Sequence, residues 1–336
     1  KFLSTARSES DLYQTILQAE YERVSEYMDG SLYHDDLNPY NQPFYFHEFL
    51  EHASKRNLQF LGEAVFSDMH PRGFTPDAVH VLQEMDDDLI AREQYIDFLT
   101  CRRFRSTLLC RREVPLGHKV KTAVISRFYA SFDGEAVSPS ADVRSAGAEE
   151  FRTRKGGSIV TDRPMMKAVL SLLGRAWPRA LHFEELLAAL RDVAPAKEWD
   201  SDENVTALCE LLLGGYAAGV LELHTWAPEV VAEISERPTA SSLARYQFFH
   251  GRKLTTLWHG SMNLAEDLSR PLFGLLDGTR NIAALAEALL GMVQSGEAAL
   301  VHDGAPITDG ELIRAKIEAE LPITLRGFAR AAVLVG

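Results

Sequence analysis

FYFHEFLEH, residues 44–52, places two histidines and two glutamates among aromatic side chains, close to the arrangement of a zinc protease helix. The zincin pattern H-E-x-x-H needs its histidines four residues apart, on one helical face. Here His47 is followed by Glu48, but the residue four positions on is Glu51, and His52 lies about 140° around the helix from His47. The inverted pattern H-x-x-E-H also fails by one residue. Phe46, Phe49, Leu50 and Ala53 do follow i, i+3, i+4, i+7, the spacing of a buried helical stripe. That leaves His47/Glu51 and Glu48/His52 as i, i+4 pairs beside it. The stretch predicts an amphipathic helix to about Asn57, with Asn41 as its cap and Pro43 in its first turn.

Working outward, residues 11–28 show helical spacing at Leu12, Ile16, Ala19 and Arg23, and Gly30, Pro39 and Pro43 mark a loop. Leu58–Phe66 predicts a short strand. Thr75-Pro76-Asp77 is a well-marked helix start. A helix from Asp86 to about Arg103, with Leu89, Ile90, Ile96 and Leu99 inward, leads into a strand over 104–113.

Beyond residue 113 a hairpin is expected around Phe132–Glu135, then a small, polar, Gly-rich loop over 141–160. Three helices follow (164–177, 181–192 and 202–219), with a strand at 219–228, the order of a winged helix. Strands at 252–265 and a helix-turn-helix at 271–293 suggest a second unit on the same plan, closed by an amphipathic helix over 311–321 and an apolar tail over 327–336. The expected fold is α+β and mainly helical: a helical N-terminal domain (1–112) followed by two winged-helix-like domains (113–235 and 236–336).

The chain has 336 residues, 46% hydrophobic and 25% charged, with a formal net charge of −13. That balance disfavours a protein that wraps nucleic acid, and the third helix of the first winged-helix pattern, DENVTALCELLLGG, has no Lys or Arg. No apolar run reaches the ~18–20 residues that span a bilayer. Cys101, Cys110 and Cys209 form no metal knuckle or disulfide framework, which with the polar start KFLSTARSES points to a cytoplasmic protein. Cys101 and Cys110 sit beside arginines but read as structural thiols. The arginines from 102 to 112 read as a solvated edge rather than a site for an acidic partner. His34-Asp35-Asp36 reads as a solvated loop tip rather than a metal site.

The glycine-rich turns that hold nucleotides or S-adenosylmethionine, the phosphate loop and the G-x-S-x-G elbow are not found; Gly156–Gly157 and Gly214–Gly215 are bare pairs.

Residues 19–64 (AEYERVSEYMDGSLYHDDLNPYNQPFYFHEFLEHASKRNLQFLGEA) and 97–113 (DFLTCRRFRSTLLCRRE) resemble the predicted methyltransferase regulatory domain. Residues 242–260 (SLARYQFFHGRKLTTLWHG) and 272–290 (LFGLLDGTRNIAALAEALL) resemble the C-terminal part of the same larger proteins, bacterial protein-lysine methyltransferases of the rickettsial type. The resemblance implies a class I S-adenosylmethionine domain ahead of these segments. The chain, which starts at Lys1, is then expected to be the non-catalytic half: not itself an enzyme, binding no cofactor, and working beside that domain in cis on a protein substrate, with a homodimer open. The family-motif positions are Tyr45, Phe46, His47, Glu48, Glu51, His52, Arg103, Phe104 and Arg105, with no role assigned. Two readings from other classes stay open: a stand-alone metal hydrolase around His47, Glu48 and His52, and a winged-helix DNA-binding regulator.

Overall fold

The computed structural model describes residues 12–25, 32–70, 73–117, 120–138, 147–154, 156–193, 202–251, 253–265, 268–302, 305–307 and 309–336. The chain divides into two compact units: Lys1–Ala64 with Gly73–Pro115, and Val65–Arg72 with Leu116–Gly336.

In the first unit, α1 (Leu12–Ser25) is the expected helix, yet it buries none of its residues and leaves Leu12 and Ile16 exposed. The quoted stretch forms α2 (Phe46–Ser54), which buries Phe46, Leu50 and Ala53 and leaves Phe49 partly exposed. Its start lies later than Asn41 and Pro43 suggested: Tyr45 is the N-cap, and its N–H donates to the Glu48 carboxylate at 2.9 Å. That places a carboxylate on the otherwise unpaired first turn. β1 (Leu58–Glu63) pairs antiparallel with β2 (Thr107–Arg111), with Glu63 opposite Thr107. The strand pair leaves β1 half-buried, and α2 packs on it. α3 (Pro76–Glu84) starts as expected, the Thr75 hydroxyl accepting from the Ala78 N–H at 3.3 Å.

α4 (Leu89–Thr100) departs from its expected face. Ile96 is buried, but Ile90 and Leu99 are exposed, and the other buried residues are Glu93 and Gln94. Cys101, at φ 51°, ends the helix in the left-handed conformation and is exposed, not a buried thiol.

In the second unit, β3 (Tyr129–Ser131) is the central strand of a sheet with β7 (Leu181–His182) and β8 (Glu222–His224). β4 (Gly134–Ala136) instead joins β5 (Glu149–Thr153) and β6 (Ser158–Thr161) in a second antiparallel sheet. The hairpin expected around Phe132–Glu135 is therefore a crossing from one sheet to another. Within the expected polar loop over 141–160, residues 149–153 and 158–161 are strands, whereas 141–146 lie outside the described residues. α5 (Pro164–Ala176) packs on β3 and β4, α6 (Phe183–Val193) on β7, and α7 (Asp202–Ala217) on the short helical turn Thr122–Arg127. Their core includes Phe132, Phe151, Leu170, Leu173, Leu186 and Leu208.

A second core is built on α8 (Ser242–His250), the β9 (Lys253–Thr255) and β10 (Ser261–Asn263) hairpin, α9 (Ser269–Leu275) and α10 (Ile282–Ser295). A short hairpin, β11 (Val301–His302) with β12 (Ala305–Pro306), leads to α11 (Gly310–Arg330). α11 runs past the expected end at Leu321 into the residues expected as a tail, and it buries Ile313, Ile317, Leu321, Leu325 and Phe328 at helical spacing. The final residues return into this core: Leu334 bridges Ala240, and Val333 and Leu334 are fully buried.

The two cores meet along an aromatic seam. The Trp177 indole N–H donates to the Arg330 carbonyl and the Trp258 indole N–H to the Pro178 carbonyl, each at 2.9 Å. The His224 ring lies 4.4 Å from Trp258, and burial pushes its pKa below the ordinary 6.5.

Leu170 has no solvent exposure, so Leu170→Ala should cost about 2–5 kcal/mol in urea denaturation. Val160→Ala, at a strand position open to solvent, should stay within about 0.5 kcal/mol of wild type.

Candidate functional site

Two of the family-motif positions, Phe46 and Arg105, meet at one largely buried cation, the Arg105 guanidinium. Arg105 precedes β2, and the turn at Cys101 carries residues 102–105 back past α4. Its Nε donates to both Asp97 oxygens, at 3.1 and 2.9 Å. One Nη donates to the Glu63 carboxylate; the other reaches the Glu93 carbonyl at 2.9 Å and carboxylate at 3.2 Å. The guanidinium lies 3.8 Å over the Phe46 ring, a cation–π contact in a desolvated setting. Thr107 adds a hydroxyl to Glu63 at 3.0 Å. Within the arginine segment, Arg105 and Arg102 are therefore not the solvated edge that composition suggested, whereas Arg103, Arg111 and Arg112 are exposed as expected. Arg102, 3.4 Å from Asp97, is also largely buried.

Three carboxylates around one guanidinium leave negative charge in excess at its centre. Arg92 and Arg102 offset this from the side, Arg92 standing 3.8 Å from Glu93. Glu93 has no exposed surface, and burial raises its pKa above the ordinary 4.5, with Arg105 pulling the other way.

The remaining motif residues are spread around this centre. His47 shares Gln94 with its own backbone N–H, the ring Nδ1 standing 3.2 Å from Oε1. Its ring stacks on Tyr45 at 5.8 Å, while the His52 ring meets the edge of Phe44 at 5.5 Å. Glu51 pairs with Lys55 at 3.1 Å on the helix surface. The carboxylate of Glu48 is engaged at the helix cap, and Arg103 reaches Glu20 of α1. Phe104 is exposed.

A cleft of about 300 Å³ is lined by Phe44, Phe46, Phe49, Arg103, Phe104 and Arg105 among others. The site thus brings Phe46, Arg103, Phe104 and Arg105 together, and directs the two imidazoles to different neighbours. Among the described residues no group of three or more His, Cys, Asp or Glu is placed to hold a metal. His34 lies in one wide helical turn, Leu32–Asp36; the side chains of Asp35 and Asp36 lie outside the description. Sequence reasoning missed Glu63, Glu93, Gln94 and Asp97. The one available signal was polar residues on the face of α4 that should have been apolar.

The bare glycine pairs do not fit a cofactor turn. Gly156, at φ 86°, and Gly157 close the β5–β6 hairpin, and Gly214 and Gly215 lie within α7, where a Cβ at Gly215 would meet Leu221. Neither stands between a strand and a helix N-terminus, where a nucleotide is held.

Two family models match this chain. Residues 28–111 match the predicted methyltransferase regulatory domain, and residues 236–333 match the PKMT C-terminal winged helix domain. An uncharacterized protein of Rickettsia prowazekii is 28% identical over 334 residues, covering 96% of this chain and 59% of that protein. A second from the same organism is 23% identical over 254 residues, covering 72% of this chain and all of that protein. PKMT2 from Rickettsia typhi, solved in complex with AdoHcy, aligns at a TM-score of 0.86 and 25% identity, over 97% of this chain and 65% of that one. A further PKMT2 structure aligns at 0.85, over 100% and 67%. The chain therefore spans less than two thirds of the first curated relative and of the AdoHcy-bound structure. All nine motif positions fall within the first matched segment.

Arg105→Met should strand buried carboxylates and destabilise the first unit by about 3–5 kcal/mol, read by urea denaturation or hydrogen exchange. The pH dependence has a definite sign. A glutamate whose folded pKa is raised contributes stability below its unfolded value and loses it as pH rises through the folded value. Relative to wild type, Glu93→Gln should gain stability as pH is raised above 4.5; a difference that is flat or slopes the other way would mean that Glu93 is not destabilised by burial.

Proposed function

We propose that this chain is the regulatory and substrate-positioning region of an S-adenosylmethionine-dependent methyltransferase that acts on a protein. The observation that carries this reading is the pair of family matches, at 28–111 and 236–333, on a chain that superposes over 97% of its length on PKMT2. In this reading residues 1–112 form the regulatory and dimerisation domain. Residues 113–235 and 236–336 form two winged-helix-like domains. Methyl transfer itself is assigned to a class I domain in cis, where the cofactor binds, and this region contributes no catalytic group.

The mechanism is geometric. Rigid walls beside an active-site cleft restrict how a target amine approaches the cofactor methyl group, and orientation of that kind can supply several kcal/mol of the barrier reduction. The net charge of −13 favours encounter with a lysine-bearing substrate. The place of work proposed here is the cytoplasm.

Calorimetric titration of the 336-residue chain with S-adenosylhomocysteine tests the division of labour. No saturable binding is expected to this chain, whereas a fusion to a class I methyltransferase domain should bind and should methylate protein lysines, read by mass spectrometry. Stoichiometric binding to the chain alone would overturn the reading.

A further inference from the structure

Away from the motif region, a cleft of about 430 Å³ lies where the middle and C-terminal cores meet in the second unit. Three arginines line it. Arg175 comes from the last turn of α5, and Arg326 and Arg330 stand one turn apart on α11, so they share a helical face. Its floor is β4, which α5 approaches closely because Gly134 and Gly174 lack side chains: a Cβ at Gly174 would meet the Gly134 carbonyl oxygen. The carboxylate lining the cleft is Glu135, 3.8 Å from Arg330.

We propose that this cleft binds a doubly charged oxyanion of the phosphate class, carried by a small molecule. Charge is the first argument. Three guanidiniums against one carboxylate leave a net charge of about +2 in a chain that is otherwise strongly acidic. Several arginines of this protein are already matched by carboxylates: Arg105 by three, Arg280 by Asp277 and Arg314 by Glu287. Arg175 and Arg326 have no such partner among the described residues. Both are exposed to the cleft, so their donors are available.

Geometry is the second argument. Guanidinium groups lining one cleft from two elements offer donors for the several acceptor oxygens of a phosphate, which carries about −1.5 to −2 charges at neutral pH. A single carboxylate would leave one positive charge unmatched. The Trp177 indole lines the same cleft and is fixed by its bond to the Arg330 carbonyl, offering a flat apolar wall beside the charged one. The volume falls within the range of small-molecule sites, about 300–1,000 Å³. Because Arg175 belongs to one core and Arg326 and Arg330 to the other, an anion held by all three would also tie the two cores together. This inference does not depend on the methyltransferase reading.

The test is calorimetric titration of the full chain with sodium pyrophosphate, followed in parallel by tryptophan fluorescence. Saturable one-to-one binding is expected, weakening as salt is added. Arg175→Gln with Arg326→Gln should lower the affinity about tenfold or more, since each charge-assisted contact is worth at least a factor of that order. Both positions are exposed, and circular dichroism would verify that the variant folds. Glu135→Gln, which removes the opposing carboxylate, should instead strengthen binding. Glucose 6-phosphate forms a second arm: tighter binding than pyrophosphate would assign the site to phosphorylated organic molecules, and weaker binding to inorganic phosphates. Succinate bound as tightly as either would overturn the phosphate assignment. No saturable binding up to roughly 10 mM, or equal binding by the double arginine variant, would overturn the site.

Discussion

A guanidinium withdrawn from water must be met by acceptors on every side, and Arg105 imposes that demand on the whole first unit. Its donors reach Asp97 and Glu93 on α4 and Glu63 at the end of β1, while its face lies on Phe46 of α2. Helix, strand and helix are thereby held in one register. Hydrophobic contact alone would do this less specifically, because apolar surfaces slide where directional bonds do not. An ion cluster of this kind is no strong source of net stability, since desolvation offsets much of the Coulombic gain. Its effect is to make alternative packings expensive. A β1–β2 register shifted by one residue would turn Glu63 away from Arg105 and leave a charge unmatched.

The second unit solves the equivalent problem with aromatic rings. Trp177 and Trp258, both half-buried, each place an indole N–H on a carbonyl, so neither packs inward with an unsatisfied donor. His224 completes the seam, its Nε2 3.2 Å from the Ser131 hydroxyl. Burial lowers its pKa and so favours the neutral imidazole there. The seam fixes the end of α11 against the end of α5. It thereby sets the spacing of the arginines that line the adjoining cleft.

What could be read from the sequence divides along physical lines. Periodicity located α2, α5, α6, α10 and α11, because each buries an apolar stripe that recurs with the helical turn. Thr75-Pro76 marked a helix start through local chemistry alone. The polar face of α4 defeated the same approach. Its buried Glu93 answers an arginine 12 positions away and its buried Gln94 a histidine 47 positions away, and no local pattern carries those pairings. The stretch around Asp133-Gly134 has the composition of a tight hairpin, yet its flanking strands choose partners in separate sheets. β3 pairs with β7 and β8, and β4 with β5; β3, β4, β7 and β8, of two or three residues each, are too short for alternation to reveal this. The cap expected at Asn41 failed for a related reason: α2 starts at Tyr45, and its first turn is met by Glu48 from within the helix.

The same division bears on what a family resemblance in residues 28–111 means. Its most recognisable stretch, the aromatic-rich FYFHEFLEH, splits by burial. Phe46 and Leu50 belong to the core, His47 is held by Gln94, and Glu48 closes the helix start. Arg105 is fixed by its carboxylates. These positions would be retained by any chain that keeps this arrangement, whatever it binds, because each answers a desolvated partner. Similarity carried by such residues is therefore evidence of a shared core before it is evidence of shared chemistry. The residues with freedom to encode recognition are the exposed ones beside them: Phe44, Phe49 and Phe104 at the cleft, and Arg103 at its rim. Two proteins could agree at every buried member of the motif and still present different surfaces at these four positions.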